Sequence, residues 1–378
     1  MEKQYTWRLE KIEAVLDKWL PENPDSSWLE KVFGNTLERS PLSTPCSPLP
    51  ALNTSFLIPY SLFLTRPGRD LLSRGGKRWR PLLMVLAAES IAGENGGEAA
   101  LPFTPLVEFP HNASLIHDDI EDNSDERRGK PAVHLIYGAD TAINSGAFMY
   151  FLPLACLDSS PCDAALKDHI FTAWASHMRA LHLGQAIDIA WHRDYHSLPD
   201  LDEYDRMCRL KTGCLASFAA VLGVYCGAFV AGEGAQKESA LKTLAGVFGN
   251  AAEQLGVGFQ ILDDVKNLDI GVPGKKRGDD IVEGKKSLPV LLYLHRYPEK
   301  REFAAKCFAA ARAKGVDAVE VEEFIAVLEG AGVLEEARKM ALDYIRESQR
   351  VFSAPDVQGF SFHSEGSSLL AGLVDIIT

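Results

Sequence analysis

The sequence predicts an all-α protein, one large helical bundle around a central cavity. Three observations lead there. Apolar residues recur at helical spacing near both ends of the chain. A long uncharged run in the middle, beginning after Lys211, has the composition of a core helix. Two acidic segments, led by Asp118 and Asp263 and so 145 positions apart, each end an apolar helical turn. Chemistry that uses both segments requires them to meet in one domain.

Taken in order, Trp7, Leu9, Ile12, Val15, Leu16, Trp19 and Leu20 fall largely on one helical stripe, which the prolines at 21 and 24 end. Trp28, Leu29 and Val32 predict a second short helix. Four prolines between 41 and 50 then interrupt regular structure. The expected division is therefore residues 1–50, N-terminal helices and a proline-rich linker, and residues 51–378, one all-helical domain. Gly75-Gly76-Lys77-Arg78-Trp79-Arg80-Pro81 places three cations where glycines let the backbone approach a ligand, and Pro81 opens an apolar helix. The first acidic segment follows. Beyond it, the stretch from Thr141 to Phe151 carries no charge and is expected to pack as a buried helix. Arg179, His182, Gln185 and Asp188 recur every three residues as a polar stripe on an apolar helix. The run from Thr212 to Gly232 has no charged residue and is long enough for a membrane span, but it is rich in Gly, Ala and Ser and lacks a companion, so a core helix is expected instead. After the second acidic segment a Gly-Val-Pro-Gly loop at 271–274 delivers Lys275, Lys276 and Arg277, and Asp280, Lys285 and Lys286 follow. From Glu299 onward Ala, Leu and Glu recur with helical period and read as scaffold. No repeat with a period of 20–50 residues is visible.

The chemistry is concentrated in the two acidic segments. Asp118 and Asp122 are four apart, so on a helix their carboxylates share a face and repel unless a cation lies between them. Hard carboxylate oxygens without nearby cysteine suit Mg²⁺, which takes one or two carboxylates plus substrate phosphates. Arg127 and Arg128 follow at once, and guanidinium forks match phosphate oxygens. In the second segment Phe259-Gln260-Ile261-Leu262 runs into Asp263-Asp264, again trailed by basic residues. Two such segments point to facing helices that clamp a polyphosphate through metal ions. An EF-hand is excluded, because the required glycine and bidentate glutamate are missing.

The stretch from Ser114 to Lys130 resembles the first aspartate-rich motif of the trans-prenyl diphosphate synthases, and that from Phe259 to Asp264 resembles their second. The resemblance covers roughly residues 75–294. It implies an all-helical fold of the isoprenoid synthase type, a homodimer, Mg²⁺ dependence, and the joining of isopentenyl diphosphate to an allylic diphosphate (dimethylallyl, geranyl or farnesyl). It assigns Asp118, Asp119, Asp122, Asp263 and Asp264 to the metal clusters, with Asp118, Asp122, Lys211 and Asp263 as the catalytic set. Arg127, Gln185, Lys211, Thr212, Gln260 and Lys276 are implied to contact the allylic diphosphate, and Lys77, Arg80, His111 and Arg128 the isopentenyl diphosphate. Ala113 and Ser114, five and four residues before Asp118, stand where fifteen-carbon synthases generally carry an aromatic plug; both are small, which implies a product of twenty carbons or more, with Phe109, Phe148 or Met149 able to close the cavity floor. One departure is Asn267, where the family usually has a third aspartate; it weakens one metal site. Two other readings stand beside this one. A class I terpene cyclase has no second diphosphate to bind, so Lys77, Arg80 and Arg128 speak against it; a catalytically silent regulatory subunit has only Asn267 in its favour.

Composition narrows the rest. A net charge of −13 disfavours nucleic acid and anionic membrane surfaces as partners and makes anion binding a local matter of metal and clustered cations. Seven scattered cysteines without a CxxC pair indicate neither zinc nor a disulfide framework, which suits a reducing cytoplasm. Met1-Glu2-Lys3-Gln4 leads into no apolar core, so no signal peptide is expected.

Overall fold

The structure is a computed structural model that describes residues 2–37, 54–233, 237–270, 276–354, 356–357 and 359–374. The expected proline-rich linker at 41–50, the loop at 271–274 and Lys275 lie outside the described residues. As predicted, the chain is all-helical, with two short antiparallel hairpins among the described residues. It divides into two compact units, Met1–Leu82 with Leu101–Asp163, and Leu83–Ala100 with Ala164–Thr378.

The first unit contains α1 (Glu2–Trp19), α2 (Ser26–Leu37), α3 (Ile58–Ser73) and the first turn of α4 (Trp79–Ala100). After α4 come α5 (Pro105–Glu121), the hairpin β1 (Glu126–Arg127) and β2 (Lys130–Pro131), α6 (Val133–Tyr137), α7 (Ala139–Phe151) and α8 (Leu154–Ser159). The stripe read on α1 is its buried face: Ile12 and Leu16 are wholly inaccessible. Its polar face is tied down as well, Asp17 pairing with Arg69 and Glu13 accepting from Arg78 at 2.7 Å. The N-terminal helices therefore belong to this unit's core. Helix α5 starts with Pro105, whose missing N–H costs nothing at a helix start, and packs on α7. Gly146 lets the His117 ring lie against α7, where His117 Nε2 sits 3.2 Å from the Ile143 carbonyl oxygen. The expected full burial of α7 holds on one side only. Ala142, Ser145, Gly146, Met149 and Tyr150 are buried, whereas Ile143 and Phe151 are half or more exposed. Absence of charge marked the helix but not how many of its faces are covered.

The second unit holds the remainder of α4, then α9 (Ala164–Arg193), α10 (Leu201–Cys208), a π-helical turn (Arg209–Gly213), α11 (Cys214–Val230) and α12 (Glu238–Asp269). These are followed by α13 (Asp279–Glu283), α14 (Leu288–Arg296), α15 (Arg301–Lys314), α16 (Val319–Gly330), α17 (Val333–Phe352), the hairpin β3 (Asp356–Val357) and β4 (Phe360–Ser361), and α18 (Ser364–Gly372). Asp200 caps α10 through a reciprocal pair with Glu203, each side chain accepting the other's backbone N–H at 2.7 and 2.8 Å. Helix α12 packs against α11 and α17, and Phe248 of α12 contacts Phe352 and Phe362. The tail is helical as its periodicity suggested, and α17 buries a stripe that includes Val333, Ala337, Ala341, Ile345 and Phe352.

Among the described residues, one stretch, Leu201–Val230, is long and apolar enough to cross a membrane, but 83% of its most apolar window is buried in the protein. The burial has a specific basis. A Cβ on Gly223 would collide with the Met84 carbonyl oxygen, and one on Gly227 would stand 2.7 Å from the Ala88 carbonyl oxygen. Glycine thus lets α11 and α4 approach backbone to backbone. Gly223→Ala is expected to destabilise the protein by about 1–3 kcal/mol through overpacking. Gly246→Ala, at a helical position with open space around it, should instead be neutral or add about 0.4–1 kcal/mol. Urea denaturation midpoints of the two variants check the contrast, and equal midpoints contradict it.

Candidate active site

In the first unit the chain folds α5 so that its last turns carry the acidic motif. The Asp122 N–H donates to the Asp118 carbonyl at 2.8 Å, so the helix geometry extends through Asp122 and the two carboxylates lie one turn apart. Asp118 is partly exposed, 14% for its side chain, whereas Asp119 and Asp122 are buried. The hairpin that follows returns Arg127 over the motif. Its Nε donates to Asp119 Oδ1 at 2.8 Å, and an Nη reaches Asp118 Oδ2 at 3.5 Å. Arg127 thus bridges Asp118 and Asp119.

Two turns earlier on α5, His111 Nε2 lies 3.4 Å from Arg80 Nη1, and the Arg80 guanidinium rests over the Trp79 ring. Burial, and then the neighbouring guanidinium groups of Arg80 and Arg128, hold the His111 imidazole well below the ordinary histidine range. His111 is therefore neutral at pH 7. Arg128 adopts a left-handed backbone (φ 54°). It donates to the Leu71 and Gly75 carbonyls at 3.0 and 2.6 Å and to Asn112 Oδ1 at 3.2 Å. Burial lowers its pKa to about 10. Lys77 is exposed.

Arg78, read from the sequence as a third ligand cation, points inward instead. It donates to Glu13 at 2.7 Å, Glu108 at 3.1 Å and the Leu72 carbonyl at 2.6 Å. Glu108 also accepts from Asn112 at 2.9 Å, which completes a chain Glu13–Arg78–Glu108–Asn112–Arg128 whose three central members are buried. Burial raises the Glu108 pKa, against the opposing pull of Arg78. Sequence reasoning missed Glu108 and Asn112. The available signal was a lone acid inside the apolar turn Leu106–Phe109, four residues before an asparagine. Gly76 (φ 137°) is needed where this chain crosses the loop, since a Cβ there would stand 2.8 Å from Arg78 Nη1 and 3.3 Å from Arg128 Nη2.

In the second unit Asp263 is exposed and Asp264 buried. Asp264 accepts from Tyr204 Oη (2.7 Å), Gln260 Nε2 (2.9 Å) and the Leu288 N–H (3.1 Å). Burial pushes its pKa up to about 6 despite these donors. Gln260 Oε1 in turn accepts from Thr212 Oγ1 at 2.7 Å, so Thr212, Gln260, Asp264 and Tyr204 form one chain of hydrogen bonds. Lys211 Nζ donates to Asp188 Oδ2 at 2.6 Å. Gln185 is half-buried one turn before Asp188, and Lys276 is exposed, its backbone N–H donating to Asp279 at 2.6 Å. Asn267 is buried. Its Oδ1 accepts from the Asp280 N–H at 3.2 Å and its carbonyl from the Gly278 N–H at 2.9 Å, so it fastens the segment after the motif onto the end of α12. Tyr204 was not anticipated from the sequence.

The donor set fits magnesium. Asp118, Asp122 and Asp263 offer hard oxygens without competing thiols, while Asp119 and Asp264 are held by protein donors. Among the described residues no three acidic, histidine or cysteine side chains gather at one point. Magnesium sites commonly rely on one or two carboxylates and on substrate phosphates.

Comparison with known proteins places the chain in a family. The polyprenyl synthetase family profile matches residues 62–326. A short chain isoprenyl diphosphate synthase of Methanocaldococcus jannaschii is 35% identical over 267 residues, covering 70% of this chain and 76% of that protein. A geranylfarnesyl diphosphate synthase of Aeropyrum pernix is 29% identical over 313 residues, covering 81% and 91%. The crystal structure of a geranylgeranyl pyrophosphate synthetase from Pyrococcus horikoshii shares the fold with a TM-score of 0.75 at 24% identity, covering 100% of this chain and 98% of that one.

The buried imidazole has a consequence for stability. In the unfolded chain His111 takes up a proton near its ordinary pKa of about 6.5, whereas in the folded protein it resists one. The folded state therefore keeps this contribution above that pH and loses it as pH falls below about 6.5 towards the folded value. His111→Gln should flatten the fall of the urea midpoint between about pH 7 and pH 5 relative to the parent protein. Parallel curves for the two proteins contradict the assignment.

Proposed function

The chain belongs to the polyprenyl synthetase family and is a prenyl diphosphate synthase, and from that premise we propose that it condenses isopentenyl diphosphate with an allylic diphosphate to give a trans-polyprenyl diphosphate of twenty carbons or more. The observation that carries the reading is α5. One helix presents neutral His111 beside Arg80 and, two turns on, Asp118 beside Arg127, with Asp122 one turn further. A cyclase, which binds a single diphosphate, has no use for the first of these groups.

In this reading Asp118, Asp122 and Asp263 hold Mg²⁺, and Asp119 and Asp264 keep the motifs in place. Bound magnesium neutralises charge on the departing diphosphate. Arg127, Lys211, Thr212, Gln185, Gln260 and Lys276 donate to the allylic diphosphate, and their strongest donations are to charge that develops as the C–O bond breaks. Lys77, Arg80 and Arg128 hold isopentenyl diphosphate, with His111 as an uncharged partner. The allylic carbon becomes cationic, the isopentenyl double bond attacks it, and the released pyrophosphate removes a proton. Apolar helices keep water from the cation.

Product length rests on the floor below Asp118. Ala113 is buried, and the Ser114 hydroxyl is turned back to the His111 carbonyl at 2.8 Å, so neither fills space as an aromatic ring does. Phe109 and Met149 are buried within the unit, and Phe148 stacks on Phe33. A homodimer is supported by Tyr60, Phe63, Leu135, Ile136, Ile143 and Phe151, large apolar side chains 47–66% exposed on the mutually packed α3, α6 and α7. The six described cysteines are all free thiols, which suits the reducing cytoplasm.

Asp118→Ala is expected to lower turnover by about 10²–10³-fold, the scale of losing one transition-state stabiliser; an unchanged rate at saturating Mg²⁺ removes Asp118 from the metal site. Radiolabelled isopentenyl diphosphate offered with each allylic primer should be incorporated into products of twenty carbons or more by a species that sediments as a dimer. Farnesyl diphosphate as sole product refutes the length assignment. Conversion of an allylic diphosphate alone favours a cyclase, and no incorporation at all favours a silent subunit.

A further inference from the structure

The π-helical turn Arg209–Gly213 carries Lys211 and Thr212, and three glycines fix where its backbone lies. A Cβ on Gly184 of α9 would run into the Lys211 backbone. One on Gly256 of α12 would stand 2.7 Å from Gly213 Cα, and one on Gly213 would stand 2.9 Å from the Glu253 carbonyl oxygen. Packing alone, however, does not set the turn's rotation. A π turn holds one residue more than an α turn, and gaining or losing a residue rotates the side chains beyond it by roughly 100°.

Something must hold that register, and the first residue of the turn is positioned to do so. Arg209 Nε donates to Asp205 Oδ2 at 2.6 Å, and its Nη1 donates to Glu253 Oε2 of α12 at 2.8 Å. Tyr344 of α17 closes the arrangement, its hydroxyl donating to the other Asp205 oxygen at 2.6 Å. Burial, and then the bond to Asp205, push the Tyr344 pKa up to about 12, so it remains a donor at neutral pH. None of the four groups belongs to the proposed metal or diphosphate ligands. Three of them come from elements other than the turn, which is the arrangement that a fixed register requires.

We propose that Arg209 is a positioning residue for the allylic diphosphate. Its ion pairs with Asp205 and Glu253, closed by Tyr344, hold the π turn in the register that presents Lys211 and Thr212. The inference rests on the proposed role of Lys211 and Thr212. It adds that α17, otherwise scaffold, contributes to substrate binding through Tyr344.

The test compares Arg209→Gln, Arg209→Lys, Tyr344→Phe, Lys211→Ala and the double variant Arg209→Gln/Lys211→Ala, with KM for each substrate and kcat measured for all. Arg209→Gln should raise KM for the allylic diphosphate by about tenfold, the factor set by one charged hydrogen bond. KM for isopentenyl diphosphate should stay within about twofold of the parent value, a split that general loss of structure does not produce. Arg209→Lys should recover part of the effect. Tyr344→Phe removes one oxygen and leaves packing intact; it should shift the same constant in the same direction by a few-fold, and it serves as the test if Arg209→Gln does not fold. In the Lys211→Ala background Arg209→Gln should add little, because it acts through that turn. Equal rises in both KM values, or full additivity, overturn the inference. If Lys211→Ala itself leaves the allylic KM unchanged, the assignment of Lys211 fails, and the positioning role with it. If Lys211→Ala raises it and Arg209→Gln and Tyr344→Phe do not, only the positioning role fails.

Discussion

Charge removed from water must find a partner, and the candidate residues of each unit are placed under that constraint. Arg127 is held by Asp119, Lys211 by Asp188, and Asp264 by three donors. A buried ion left alone costs several kcal/mol, roughly, so such groups persist only in well-made networks. Networks of this kind also preset direction. A guanidinium already anchored at one edge loses less freedom when a phosphate arrives at the other, and that saving goes into binding.

The same constraint separates acids that hold the protein together from acids able to meet a ligand. Within each pair of adjacent aspartates the first is the more accessible and the second is buried against protein donors. Helical geometry permits this, since neighbours differ by about 100° around the axis and can face different surroundings. Asn267, three residues beyond Asp264, falls on the buried side with it. There an amide, which can accept from the Asp280 N–H without adding charge beside Asp264 and the buried Asp280, is easier to accommodate than a carboxylate.

Much of this was legible in the sequence. Period 3.6 gave α1 with its buried face and marked the tail as helical, the composition of the run after Lys211 gave a core helix, and the aspartate spacing gave the acidic end of α5. What escaped depends on contacts between residues distant along the chain. Arg78 reads as one of three loop cations until Glu13 and Glu108, 65 and 30 residues away, are seen to claim it. Tyr204 reads as an ordinary aromatic until its hydroxyl is found on Asp264, 60 residues on. The exposed side of α7 was invisible for a similar reason: a neutral helix surface looks the same in sequence whether or not a neighbour covers it.

The glycine contacts around the turn at 209–213 bear on how this scaffold could be diversified. Positions 184, 213 and 256 accept nothing larger than hydrogen without moving a main chain. A saturation library spread evenly over the second unit would therefore spend those codons on clones that do not assemble. Variety in product is better sought among side chains that line open space, with the tightly apposed backbones left as a fixed datum around which the rest is changed.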